Sequence, residues 1–311
     1  MGRVIVPIDL GGSPITCCVR PPLRKPPTVE YVSALIDNYA ARRGNVDEVA
    51  FFHGGTPSES LLNCCQQIPL RLALNPHDLT REKARWLAGF HLRTIELEFL
   101  TLSPKVIHRI KRGYNPSIAP DMIQGLKLMG LNVGVLLSPG LPGGSHQQCL
   151  ADARRCVDYG VDFVRICPML VFEKSTLASW YKRGSYSPPE INEVVFTIRE
   201  MLQVFEANDI QVIRIGWQPK QDFSVDIIAG PLHPNLRALV EYNRFFDRMA
   251  GALSGVSGYR IELLVNPKDM SWVKGECGDN IRRLRASLSL EELIVIGDPS
   301  VPRGEIRWRQ V

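Results

Sequence analysis

Val46-Asp47-Glu48-Val49-Ala50-Phe51-Phe52-His53-Gly54-Gly55-Thr56 is the stretch whose reading decides the fold. The apolar run up to Phe52 predicts a strand, the paired glycines break it, and Ser58 caps a helix expected over 58–67. Outward from this unit the alternation repeats. Strands are predicted over 4–9, 70–75, 94–99, 133–138, 163–167 and 210–215. Helices are predicted over 28–42, 80–87, 104–111, 118–129, 145–159 and 190–208. Thr28 is a candidate cap for the first of these helices.

Strands rich in Val, Ile and Leu, separated by helices, predict an α/β fold with a parallel sheet buried on both faces. The glycine segments at Gly54-Gly55 and Gly140–Gly144 each follow a strand. In a β/α barrel that is the mouth, where sites are built. The pattern then changes to a helix over 234–251, strands over 259–265, 293–296 and 305–308, and a short helix near 279–284. The expected organisation is therefore a barrel over 1–256 and a small α+β appendage over 257–311.

The chain has 311 residues, 45% hydrophobic and 22% charged, with a formal charge of +5. That charge does not demand a polyanionic partner, and Arg282-Arg283-x-Arg285 reads as a solvated helix face. No apolar stretch is long enough for a spanning helix, and the run before Asp9 is too short for a signal peptide, so a cytoplasmic location is expected. Of the eight cysteines, Cys17-Cys18 and Cys64-Cys65 are adjacent pairs whose side chains are expected to diverge. No zinc spacing, nucleophile elbow or Walker loop is present.

The order of motifs resembles the radical S-adenosylmethionine (SAM) superfamily, in the bacterial Elp3-like branch related to oxygen-independent coproporphyrinogen oxidase-like proteins. The resemblance is carried by Phe51-Phe52-His53-Gly54-Gly55-Thr56, Arg93-Thr94-Ile95-Glu96-Leu97, Arg112-Gly113-Tyr114 and Pro139-Gly140-Leu141-Pro142-Gly143. It continues through Val164-Arg165-Ile166-Cys167-Pro168, Val212-Ile213-Arg214-Ile215-Gly216-Trp217 and Gly230-Pro231-Leu232-His233-Pro234, and reaches Asn280-Ile281-x-x-Leu284. It implies a partial TIM-type barrel of the radical SAM kind.

The resemblance also implies cofactors. Gly54, Gly55 and Thr56 would present backbone groups to the methionine part of SAM; the alternative is a tight turn without a ligand. Glu96 would point inward toward the ligand, or else be a surface carboxylate beside Glu98. Arg112 would contact an anionic ligand group, or else lie in solvent beside Lys111.

A [4Fe–4S] cluster would be held by three cysteines spaced C-x3-C-x2-C after the first strand. That register falls on Ser13, Cys17 and Arg20, so only Cys17 supplies a thiol. A serine hydroxyl is not ionised near neutrality, and an arginine offers no lone pair. Cys64 or Cys65 would lie about 12 Å along the next helix. The stretch 73–78 lacks the family's usual arginine, and 98–103 lacks its Gln-Ser.

Three readings follow. The first is a radical SAM enzyme with impaired or lost reductive cleavage. The second is a non-catalytic scaffold or partner protein that binds SAM or a nucleotide. The third, weighed against by the mild charge, is a tRNA-binding protein. A small-molecule ligand is expected, with a protein partner as a further option and no membrane. No catalytic residue is assigned.

Overall fold

The computed structural model describes residues 3–10, 26–52, 55–65, 67–173, 175–217 and 227–311. The loop carrying Ser13, Cys17, Cys18 and Arg20, and also Gly54, lies outside the described residues. The chain divides into two compact units, 1–232 and 233–311.

The first unit is a seven-stranded sheet in which every neighbouring pair is parallel. Its early elements are β1 (Ile5–Asp9), α1 (Val29–Arg43), β2 (Glu48–Phe52), α2 (Glu59–Asn63), β3 (Leu70–Leu74), α3 (Arg81–Ala88), β4 (Leu92–Leu100), α4 (Pro104–Arg109), α5 (Ala119–Leu128) and β5 (Asn132–Leu137). They continue with α6 (His146–Asp158), β6 (Phe163–Ile166), β7 (Val171–Phe172), α7 (Thr176–Lys182), α8 (Ile191–Glu206), β8 (Gln211–Ile215) and β9 (Ile227–Ala229). The order is β1-β2-β3-β4-β5-β6-β8, so β1 and β8 stand at the two ends of the curled sheet. β7 and β9 pair separately as a short antiparallel ribbon.

Local chemistry explains the element starts. The side chains of Thr28, Ser58, Thr80, Ser103 and Ser145 each accept from a backbone N–H in the first turn of the helix they precede. Helix α8 opens with a reciprocal capping box between Glu190 and Glu193. The helix expected over 58–67 stops at Asn63, and Cys64 and Cys65 form a turn. The ribbon β7–β9 and helix α7 carry no periodicity long enough to predict; a two-residue strand exists only through its partner.

The second unit holds α9 (Leu236–Ala252), β10 (Arg260–Val265), α10 (Met270–Lys274), α11 (Asp279–Ser287), β11 (Glu292–Gly297) and β12 (Ile306–Gln310). Central β10 pairs parallel with β11 and antiparallel with β12. The expected boundary lay at 256/257, whereas the compact units meet at 232/233. The reason is burial: Phe245, Met249 and Leu253 share one apolar cluster with Ile261, Leu263 and Val265, so α9 packs with this sheet. Asn280 ties α11 to its neighbours by donating to the carbonyls of Tyr242 (2.8 Å) and Trp272 (3.2 Å).

Among the described residues no helix is long and apolar enough to cross a membrane.

Candidate functional site

Side chains alternate across a strand, so residues two apart share a face. On β4 one face presents Ile95, Leu97 and Phe99, all buried apolar groups. The other presents Thr94, Glu96 and Glu98, which are buried although polar. The polar face is continued by neighbours in register: Arg71 opposite Thr94, Gly134 opposite Glu96, Phe163 opposite Gly134, and Arg165 opposite Arg214. This is the concave, inner face of the curled sheet.

Charges on that face alternate in sign from β2 to β6. Arg71 donates through Nε to Glu48 Oε2 at 2.9 Å and through Nη1 to Glu96 Oε1 at 3.1 Å. Arg165 donates through Nη1 to the other oxygen of Glu96, Oε2, at 2.6 Å. Thr94 donates its hydroxyl to Glu48 Oε1 at 2.8 Å. Arg71 also lies 5.2 Å over the Phe163 ring, and Arg165 lies 5.0 Å over Phe52. Taking four charged groups out of water is tolerable only because each is paired. Burial is the largest single influence and works against the Arg165 charge, yet attraction from Glu96, with Cys167 and Glu98 adding to it, holds the guanidinium pKa above its ordinary value.

The resemblance-derived residues fall as follows. Glu96 is 1% exposed, so the surface alternative does not hold. It shares its face with Glu98, two residues on. Both of its oxygens face arginines of the sheet, which makes it the hub of the inner ion network. Arg112 is likewise buried, which corrects the solvent alternative. Its Nη2 donates to the carbonyl of Glu98 at 3.1 Å, and its guanidinium lies 5.9 Å over the Tyr114 ring. Gly55 has φ +75° with open space where a Cβ would stand. That backbone favours glycine. Thr56 Oγ1 is buried with no hydrogen-bond partner among the described residues. Thr56 and Gly55 thus belong to one turn at the end of β2, while Glu96 and Arg112 are held by the β4 side.

Two further expectations change. Cys64 and Cys65 do not diverge: their sulfurs lie 3.7 Å apart, because the helix has already ended and the chain turns there. Burial, with Cys64 beside it, pushes the Cys65 thiol up to about 12. A protonated, buried thiol is a poor nucleophile at neutral pH. The 98–103 stretch is occupied structurally: Thr101 donates to Asp152 Oδ2 at 2.5 Å, and Leu102 N donates to Asp152 Oδ1 at 3.0 Å. Among the described residues no group of three or more His, Cys, Asp or Glu could hold a metal ion.

The residues missed by sequence reasoning are Glu48, Arg71 and Arg165 as members of one network. The signal was present: each is a charged residue inside an otherwise apolar buried strand, and such a residue demands a partner.

Comparison with known proteins places this geometry. Residues 161–244 match the Radical_SAM C-terminal domain. The family resemblance is to the radical SAM superfamily, in its Elp3-like branch. The chain is 30% identical over 109 residues to Protein YhcC of Escherichia coli, covering 35% of each chain. It is 31% identical over 104 residues to a tRNA uridine(34) acetyltransferase of Methanocaldococcus jannaschii, covering 32% of this chain and 19% of the relative. These matches span about a third or less of the relatives' lengths. In structure, the chain is similar to the archaeal Methanocaldococcus infernus Elp3 with an N-terminal deletion. The TM-score is 0.59 at 18% identity, covering 80% of this chain and 63% of the other. The radical-SAM-like chain therefore has the partial TIM-type barrel of that superfamily, and the α/β expectation holds.

Proposed function

We propose that this chain is a redirected radical SAM relative, which binds SAM or a closely related nucleoside at the barrel mouth without the ancestral reductive cleavage. The observation that carries the binding half is the Thr56 hydroxyl, buried with no hydrogen-bond partner among the described residues, beside the positive-φ turn at Gly55. A buried polar atom left unsatisfied costs roughly 1–3 kcal/mol, so a ligand donor or acceptor there would relieve it. The turn therefore fits the methionine end of SAM.

The cluster is a different matter. Three thiolates are needed to hold it, and the aligned loop offers the Ser13 hydroxyl, the Cys17 thiol and the Arg20 guanidinium. That donor chemistry does not fit a [4Fe–4S] cluster. No step is accordingly assigned to a cluster. The role left for the protein is that of a ligand-binding scaffold, with a protein partner as its natural client.

Calorimetry with SAM on the cluster-free protein tests this reading. Saturable binding is expected; absence of heat at millimolar SAM would contradict it.

A further inference from the structure

Among the described residues the ion pairs of the network end at β6. Arg214, on β8, lies in register with Arg165 and is half-buried on the same inner face. Adjacent strands stand about 4.8 Å apart, so the two guanidinium stems run side by side. Glu96 attracts both arginines and Glu98 also attracts Arg165, but the two oxygens of Glu96 are already engaged by Arg71 and Arg165. Arg214 makes no hydrogen bond or ion pair among the described residues. Burial, followed by repulsion from Arg165, holds its pKa below the ordinary arginine value. Arg165 itself keeps a buried Nε without a hydrogen-bond partner among the described residues, although the residue is 7% exposed.

Two arginines, one making no hydrogen bond or ion pair and one with an unused buried donor among the described residues, thus stand together on the concave face. Unpaired buried charge is costly, and guanidinium groups suit carboxylate and phosphate oxygens, which accept two parallel hydrogen bonds. We propose that Arg165 and Arg214 form an anion subsite on the β6–β8 side of the barrel, taking a carboxylate or phosphate group of a small-molecule ligand. The subsite rests on the ligand-binding reading above. It is built from other strands than the β2 turn that carries Thr56, although Arg165 stacks over Phe52 at the end of β2, so it would hold a different part of the ligand, or a second molecule.

The test uses the full chain and Arg214→Gln, with Arg214→Lys as the charge-keeping control. Titration calorimetry at low salt is run with three probes: inorganic phosphate, SAM, and methylthioadenosine, which lacks the amino-acid carboxylate. The expected result is phosphate binding that weakens about tenfold or more in Arg214→Gln and remains measurable in Arg214→Lys. If SAM weakens with it while methylthioadenosine does not, the anion is the carboxylate of SAM. If phosphate alone weakens, the anion belongs to a second ligand. Should SAM fail to bind at all, the phosphate arm still decides the subsite. The proposal is overturned if no probe loses affinity in Arg214→Gln.

Discussion

Arg165 on β6 reaches Glu96 on β4 at 2.6 Å although strand β5 runs between them. The bridge is possible because the β5 residue in register with Glu96 is Gly134. With no side chain there, the Phe163 ring occupies the space a Cβ would fill, and Arg71 lies over that ring. A glycine, a phenylalanine and two arginines are therefore one packing unit around one carboxylate.

Replacing that carboxylate tests the unit. Glu96→Gln leaves Arg71 and Arg165 buried with a neutral partner, and breaking a buried pair from one side costs about 3–5 kcal/mol. The urea midpoint should fall accordingly. A loss within experimental error would show that the network is hydrated and Glu96 is not its hub.

Gly134→Ala probes the same unit sterically. An added Cβ would lie 2.1 Å from Phe163 Cε2, closer than any real contact. Overpacking of this kind costs about 1–3 kcal/mol. Denaturation of Gly134→Ala and of the double variant with Phe163→Leu should show a loss in the first and partial recovery in the second.

Asp152 sets a pH dependence. It accepts from Thr101, Leu102 N and Gln148, yet burial is the larger influence and raises its carboxyl pKa above the ordinary value. A raised acid costs nothing when protonated in both states, and the cost grows as pH climbs from the unfolded pKa through the folded one. Asp152→Asn carries no such cost. Its Tm relative to the parent protein should therefore improve between pH 4 and pH 7. A difference independent of pH would mean that the carboxylate titrates normally.

At the β2 turn, Thr56→Val removes a hydroxyl that has no partner among the described residues. Free-protein stability should be unchanged or slightly higher, while SAM affinity should fall by about fivefold, the worth of one hydrogen bond near 1 kcal/mol. Equal affinity in calorimetry would remove Thr56 from the site.

The barrel was legible because its strands are apolar runs, some ended by glycine, and several of its helices open on Ser or Thr caps, both local signals. Thr28 and Ser58 are caps that the sequence marked. What was not legible depended on distant pairing. The ribbon of β7 with β9 joins residues far apart in sequence, and α9 was assigned to the barrel because its partners, Ile261 and Leu263, follow it. Glu96 could be named from the motif, but whether it faced a ligand or two arginines depended on Arg71 and Arg165, which register alone brings together. The thiols of Cys64 and Cys65 approached because the helix ended early, which no pattern in that stretch announced.

The central claim is that the barrel keeps a ligand site while its cluster loop is chemically disarmed at Ser13 and Arg20. Anaerobic reconstitution with iron and sulfide, followed by iron and sulfide quantification and a dithionite-driven SAM cleavage assay, tests it most directly. The account predicts that the parent protein binds SAM, retains no stoichiometric cluster and forms no cleavage products, and that the double variant Ser13→Cys with Arg20→Cys gains a cluster. A stoichiometric [4Fe–4S] cluster and reductive SAM cleavage in the parent protein would contradict it.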